Sequence, residues 1–290
     1  MKRQRTGINP KYFHPSQIRI YLVLLPIILI MLLPILYIFS SAFKPLDELF
    51  AYPPRFFVEK PTLNNFIKLF TVSSATAVPA SRYLFNSILI TAVMVAATLF
   101  VSVGAAYVFS KKRFRGKENL FKINQLAMMF VPVAVTIPRY LVMDRLGILN
   151  TFWAHILPAL ATPVGLFLMK QFIDGVPDAI VEAAVLDGAG DLRILLKMIV
   201  PLIRPAMATV GILVFQNVWN ATEASVLLID DEQLKNFANY VSVLSSSSGN
   251  SVAGQGMAAA GSMIMFVPNI VLFIILQSRV MNTMMYTGVK

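Results

Sequence analysis

The sequence predicts an all-α fold: a polytopic membrane bundle of about six transmembrane helices, with both termini cytoplasmic and a helical hairpin on the cytoplasmic side between spans four and five. Three observations carry this. Hydrophobic residues make up 57% of the 290-residue chain and charged residues only 13%. Uncharged runs reach the ~20 residues a bilayer crossing needs, well beyond the roughly 10–14 residues of an ordinary globular helix. Lysine and arginine are concentrated in some loops and scarce in others, the signature of an oriented membrane protein.

The N-terminal segment 1–19 carries Lys2, Arg3, Arg5, Lys11 and Arg19 and is expected to be cytoplasmic. Residues 20–43 form the first uncharged span. A cleaved signal peptide is the competing reading, but the run is longer than a signal core and lacks a small-x-small cleavage site. Residues 44–82, with Pro45, Pro53, Pro54 and Pro61, read as an external excursion in which 64–70 forms a short interfacial helix. The membrane core is then assigned to 83–290, with spans at 83–110, 123–143, 146–169, 205–222 and about 257–278. The third is the least regular, interrupted by Pro132, Pro138 and Arg139.

Loop charges test the orientation. The basic KKRFRGK run at 111–117 lies two spans after the basic N-terminus, so both fall on one side. The 223–256 loop holds Glu223, Asp230, Asp231 and Glu232 against Lys235, which places it outside, and its stretch 245–256 reads as a flexible connection. The formal charge of +11 sits beside apolar spans, so lipid headgroups, not nucleic acid, account for it. Cysteine is absent, which removes disulfides and thiolate chemistry, and His14 and His155 have no companion ligands at metal spacing.

Residues 177–205, PDAIVEAAVLDGAGDLRILLKMIVPLIRP, differ from every other loop. Pro177 suits a helix start and Asp178 complements its positive end. Gly188 and Gly190 can take left-handed conformations that end the helix, and Asp191 can cap the next. Arg193 and Lys197 then share one face, four residues apart, and Pro201 and Pro205 bend the path back toward the bilayer. No phosphate loop exists: the Gly116–Lys117 pair lacks the glycine that GxxxxGK[ST] requires, so energy for any work must come from another chain.

Glu182, Ala183, Ala184, Gly188 and Pro201 occupy the spacing of the EAA loop of binding-protein-dependent ABC importer permeases, and the chain resembles that family from about Tyr83 onward. YLFNSILIT, AAYVFSKKRFRGK, TIPRYLVMDRLGILNTFWAHILPAL, EAAVLDGA, FQNVWN and the closing TGVK are similar to the carbohydrate-uptake branch, specifically its maltose-type shorter permease. Met198 and Val200 stand where relatives carry Ile and Leu, and Arg139 where they carry an uncharged residue. The resemblance implies a bacterial inner-membrane, multi-pass, non-catalytic transport subunit. It further implies a homologous second permease, an ATPase homodimer that binds ATP and Mg, an external sugar-binding protein and a carbohydrate substrate. No cofactor or metal is expected in this chain. Its coupling residues would be Glu182, Ala183, Ala184, Asp187, Gly188 and Pro201, on a helix seated in a groove of the ATPase.

Arg139 interrupts a span, where exposure to lipid would cost roughly 2.5–3.5 kcal/mol, so it should face a partner helix, a cavity or the outer interface. Gln216, Asn217, Trp219, Asn220 and Glu223 set an aromatic ring beside amide groups, chemistry suited to a sugar, although such groups also bind helices together. Asn86, Met257, Met263 and Met265 read as packing groups. Two rival functions differ in class: a secondary transporter would need acidic residues inside spans, and these spans hold none, whereas a membrane scaffold or assembly factor would need no pathway. An ABC permease for a non-sugar solute is closer and shares all these features.

Overall fold

A computed structural model describes residues 17–71, 78–247 and 252–287. The N-terminal segment before residue 17, part of the 44–82 excursion (72–77) and part of the 245–256 stretch (248–251) lie outside the described residues, as does the end of the closing TGVK. The described chain is all-helical. Three helices are long and apolar enough to cross a membrane singly: Ile20–Phe43 within α1 (Gln17–Phe43), α4 (Ala80–Lys111), and Gly254–Gln277 within α15 (Val252–Thr287). Most side chains of α1 before Ser40 are exposed aliphatics, an arrangement that lipid solvates and water does not. Pro26, Pro34 and Pro268 sit inside α1 and α15, as is tolerated where neighbouring helices and small adjustments satisfy the freed carbonyls.

α4 is the spine. Its N-terminal end, through Ala80 and Tyr83, joins a core with Ala42, Leu69, Phe237, Tyr240 and Ala260, and Met257, Met263 and Met265 pack against it. Its middle, through Ile90 and Met94, meets Ile156. Its C-terminal half, through Val103, Ala106 and Tyr107, joins a second core with Met169, Ile173, Ala184, Ile194, Ile203 and Val210. One helix therefore connects two apolar cores at opposite ends of the bundle.

The remaining predicted spans are not straight rods. The third, expected over 123–143, splits into α5 (Lys117–Ala127), a 3-10 turn at Pro132–Val135 and α6 (Thr136–Arg145), with a bend of 108° between the halves. Pro132 cannot continue a helix from α5, because it lacks the amide and biases Val131 to extended backbone. The fourth is α7 (Trp153–Leu160) and α8 (Pro163–Asp174), bent by 47° at the residues preceding Pro163. The fifth is α12 (Arg204–Trp219), which meets the preceding helical run at 82°.

The 44–71 region is ordered around polar groups that its composition does not advertise. It contains α2 (Leu46–Leu49) and α3 (Asn64–Thr71). Glu48 is buried and accepts from the backbone amides of Glu59 (3.0 Å) and Lys60 (2.7 Å), and Lys44 Nζ donates to the Arg55 carbonyl. Asn65, 3% exposed, donates to the carbonyls of Ala42 (3.0 Å) and Lys44 (2.8 Å). Gly256 is required opposite it, since a Cβ there would lie 2.6 Å from Asn65 Oδ1. Asn65→Ala leaves these carbonyls without their donor and is expected to lower stability by about 1–3 kcal/mol. Thermal unfolding of the detergent-solubilised protein measures it, and an unchanged midpoint would show that the carbonyls find other donors.

The described ends of the 245–256 stretch are helical, and its middle, where a flexible connection is expected, lies outside the described residues. Residues 245–247 complete α14 (Phe237–Ser247), and 252–256 open α15. Phe237, Ala238, Tyr240 and Val241 are buried and anchor α14, and the exposed Ser245 and Ser246 extend it, their hydroxyls donating back to the Val241 and Ser242 carbonyls at 2.8 Å.

Candidate functional site

The hairpin at 177–205 forms an elbow. α9 (Asp178–Leu186) begins after Pro177 and ends in a Schellman motif: Gly188 N–H donates to the Val185 carbonyl at 3.0 Å and Ala189 N–H to the Ala184 carbonyl at 2.9 Å. This geometry needs a left-handed residue, and Gly188 supplies it with φ +78°. Gly190 does not share that role; its φ is −72° and it precedes α10 (Asp191–Ile194). The second limb then widens into a π turn, Leu195–Ile199, before α11 (Val200–Leu202). Pro201 is the local cause: it offers no amide to the Lys197 carbonyl, and its ring would strike that carbonyl in a regular helix. Lys197 sits inside the widened turn, so the regular four-residue spacing from Arg193 is interrupted there.

The predicted coupling residues divide by exposure. Glu182, Ala183, Asp187, Gly188 and Pro201 are exposed, whereas Ala184 is 5% exposed and belongs to the apolar core beneath the elbow. Sequence reasoning missed the most prominent groups, Val185, Leu186, Leu192 and Leu196, which are all exposed, Leu186 at 88%. Their signal was present: aliphatic residues lie beside the glycine turn, beyond what one buried helical stripe accounts for.

Asp191 does not cap α10 through its side chain. Its carboxylate accepts from Lys112 Nζ and from the Tyr107 hydroxyl, the latter at 3.3 Å. Asp178 likewise receives Lys111 Nζ at 2.6 Å. The hydrogen bond from Lys112 holds the Asp191 carboxyl below its ordinary value, and that from Lys111 does the same for Asp178. The Asp191 hydrogen bond raises Lys112 in turn. A carboxylate with a depressed folded value contributes above the ordinary range near ~3.9 and fails only as pH falls through the depressed value. A raised lysine contributes below ~10.4 and fails as pH rises through its raised value. These ties therefore persist across the neutral range.

The predicted pathway residues also divide. Arg139 on α6 pairs with Glu223, the first residue of α13 (Glu223–Leu227), and Thr136 Oγ1 lies 3.2 Å from the same carboxylate oxygen. Arg139, Glu223 and Asn217 line one cavity of about 430 Å³ with Thr136, Tyr140 and His155. Trp219 points elsewhere: it is 4% exposed, stacks on Phe215 and donates its indole N–H to the Met265 carbonyl at 2.9 Å. Asn220 bonds back to the Gln216 carbonyl at 2.8 Å and lines a separate groove with Asn269, and Gln216 is exposed on the helix surface. Asn86 does more than pack. Its amide donates to the carbonyls of Gln233 (2.8 Å) and Lys235 (2.9 Å), fastening the acidic loop to α4.

Comparison with known proteins meets this geometry from outside. Residues 100–278 match the family described as binding-protein-dependent transport system inner membrane component, a stretch that includes the whole elbow. The probable ABC transporter permease protein YurM of Bacillus subtilis is 30% identical over 81% of this chain and 78% of its own length. The arabinooligosaccharides transport system permease protein AraQ of Halalkalibacterium halodurans is 28% identical over 89% of this chain and 90% of that one. In architecture, a chain of a bacterial ABC transporter involved in the import of the acidic polysaccharide alginate superposes with a TM-score of 0.76. It covers 93% of this chain and 99% of its own, at 23% identity.

Proposed function

We propose that this chain, which belongs to the family of binding-protein-dependent transport system inner membrane components, is a permease subunit of an ATP-driven importer that moves an oligosaccharide delivered by an external binding protein. The long apolar helices support a multi-pass membrane protein, and the sugar-transport permeases among its relatives support the carbohydrate class. In this reading six crossings leave both termini and the elbow in the cytoplasm, and the acidic loop outside. ATP and Mg are held by a pair of ATPase subunits, and a second permease completes the pathway.

The observation that carries the proposal is the elbow itself. Its underside is buried in the core shared by α4, α8 and α12, while Leu186, Leu192 and the carboxylates of Glu182 and Asp187 face outward. An apolar ridge flanked by charges suits a groove on a partner, and a packed helix transmits a partner's motion as a rigid body. ATPase closure would drive the elbow and switch the cavity between the two sides of the membrane. Of the pathway candidates, Arg139, Asn217 and Glu223 face that cavity and are the ones proposed to meet solute.

Reconstitution of the chain with its second permease, ATPase and binding protein in liposomes tests this. ATP-dependent accumulation of labelled oligosaccharide is expected, and it should vanish when any one component is omitted. Uptake that persists without the ATPase would instead indicate ion-coupled transport. Uptake only of a non-sugar solute would keep the machine and replace its cargo.

A further inference from the structure

The basic run at 111–117 marks topology, yet part of it is engaged in contacts that topology does not require. Three consecutive residues around the C-terminal end of α4 reach three successive elements. Ser110 Oγ donates to Asp174 Oδ1 at 2.7 Å, at the end of α8. Lys111 Nζ donates to the Val176 carbonyl (2.5 Å) and to Asp178 Oδ1 (2.6 Å), at the junction of α8 with α9. Lys112 Nζ donates to Asp191, the first residue of α10.

The Lys111 side chain is only 5% exposed, so its ammonium has exchanged water for these partners. A charge serving only to orient the chain would stay hydrated, as the exposed Arg113 and Arg115 do. Lys117 closes the loop by donating to the carbonyls of Ser110 (3.2 Å) and Lys112 (3.0 Å), which holds the two working lysines in register. Beneath the polar rim, Tyr107, Ile173, Ala184 and Ile194 join the same helices through apolar packing.

We propose that Lys111 and Lys112 are positioning residues that fasten both limbs of the elbow to α4, so that force applied to the elbow enters the α4–α8 pair as one rigid body. This rests on the coupling role proposed above. α4 also runs to the core at the opposite end of the bundle, so the fastening gives a displacement at the elbow a direct route across the membrane.

The assembled transporter in liposomes, scored for labelled sugar taken up per phosphate released, tests the fastening. Lys111→Met with Lys112→Met is expected to lower that ratio by about tenfold, within the range over which substitutions along a coupling network act, while ATP hydrolysis and co-purification with the ATPase persist. Arg113→Gln with Arg115→Gln removes the same charge from the same loop and leaves the ratio unchanged. Lys112→Asp alone lowers it as well, and exchanging the pair, Lys112→Asp with Asp191→Lys, restores it. This chain has no cysteine, so Lys112→Cys with Asp191→Cys adds a reversible version. With partner chains stripped of cysteine, the ratio is low in the reduced state and recovers when a short bis-thiosulfonate reagent bridges the two thiols, a response that folding support alone would not produce. Normal coupling in the double methionine variant, or loss of uptake on bridging, overturns the proposal. An unsubstituted assembly that fails to transport defeats the importer reading, and the fastening with it. One that transports equally well with and without the lysines defeats the fastening alone.

Discussion

Gly188→Pro is expected to abolish uptake of the proposed sugar cargo while the chain still inserts in the membrane and still binds the proposed ATPase. Proline holds φ near about −65°, and this site requires +78°. The substitution also removes the amide that donates to the Val185 carbonyl, and it disfavours the helical backbone of Asp187, whose φ and ψ are −74° and 2°. Together these exceed the ~3 kcal/mol typical of a misplaced proline. Nothing lies within 4 Å of a Cβ built at Gly188, so the cost is backbone strain in the exposed turn and not a side-chain clash. Gly188→Ala keeps the amide and has room, but carries the roughly 1–2 kcal/mol penalty of left-handed backbone, so it should give a partial defect. Uptake per ATP hydrolysed, with pull-down of the ATPase as the assembly control, separates these cases. Unimpaired uptake by the proline variant would remove the elbow from the coupling path.

Trp219→Ala is expected to destabilise the bundle by about 3–5 kcal/mol, because it empties a ring-sized volume between α12 and α15. The Met265 carbonyl retains a donor, Asn269 Nδ2 at 3.1 Å, so the cost is mainly packing. Trp219→Phe should lose about 1 kcal/mol of hydrogen bonding and leave the KM for sugar unchanged. Thermal unfolding in detergent and concentration-dependent uptake provide the two readouts. A large rise in KM with unchanged stability would mean that the indole touches substrate and that the packing account fails.

The contrast between Gly188 and Trp219 shows what a one-dimensional reading can and cannot reach. The glycine turn was legible because its cause is local: a helix of Ala and aliphatic residues, a left-handed stop and a second start lie within a dozen positions. Trp219 resembled a sugar platform because it sits beside Asn217, Asn220 and Glu223 in sequence. On a helix, though, successive residues point in different directions. Only packing revealed that the tryptophan faces α15 while Asn217 and Glu223 share a cavity with Arg139, far away in the chain.

From the amino acids alone came the membrane class, the helical fold and the family, because long uncharged runs, loop charge and a glycine-punctuated motif are each properties of contiguous residues. Tertiary structure decided the rest. It showed that the segment expected as the third span bends by 108°, that serine-rich 245–247 is helix, that Ala184 is core, and that loop lysines grip both limbs of the elbow. Burial of Ala184 and the lysine ion pairs share one physical reason, since each depends on surfaces brought together from positions distant in sequence, whereas the bend has its local cause in Pro132 and 245–247 extend a helix that buried Phe237 and Val241 anchor.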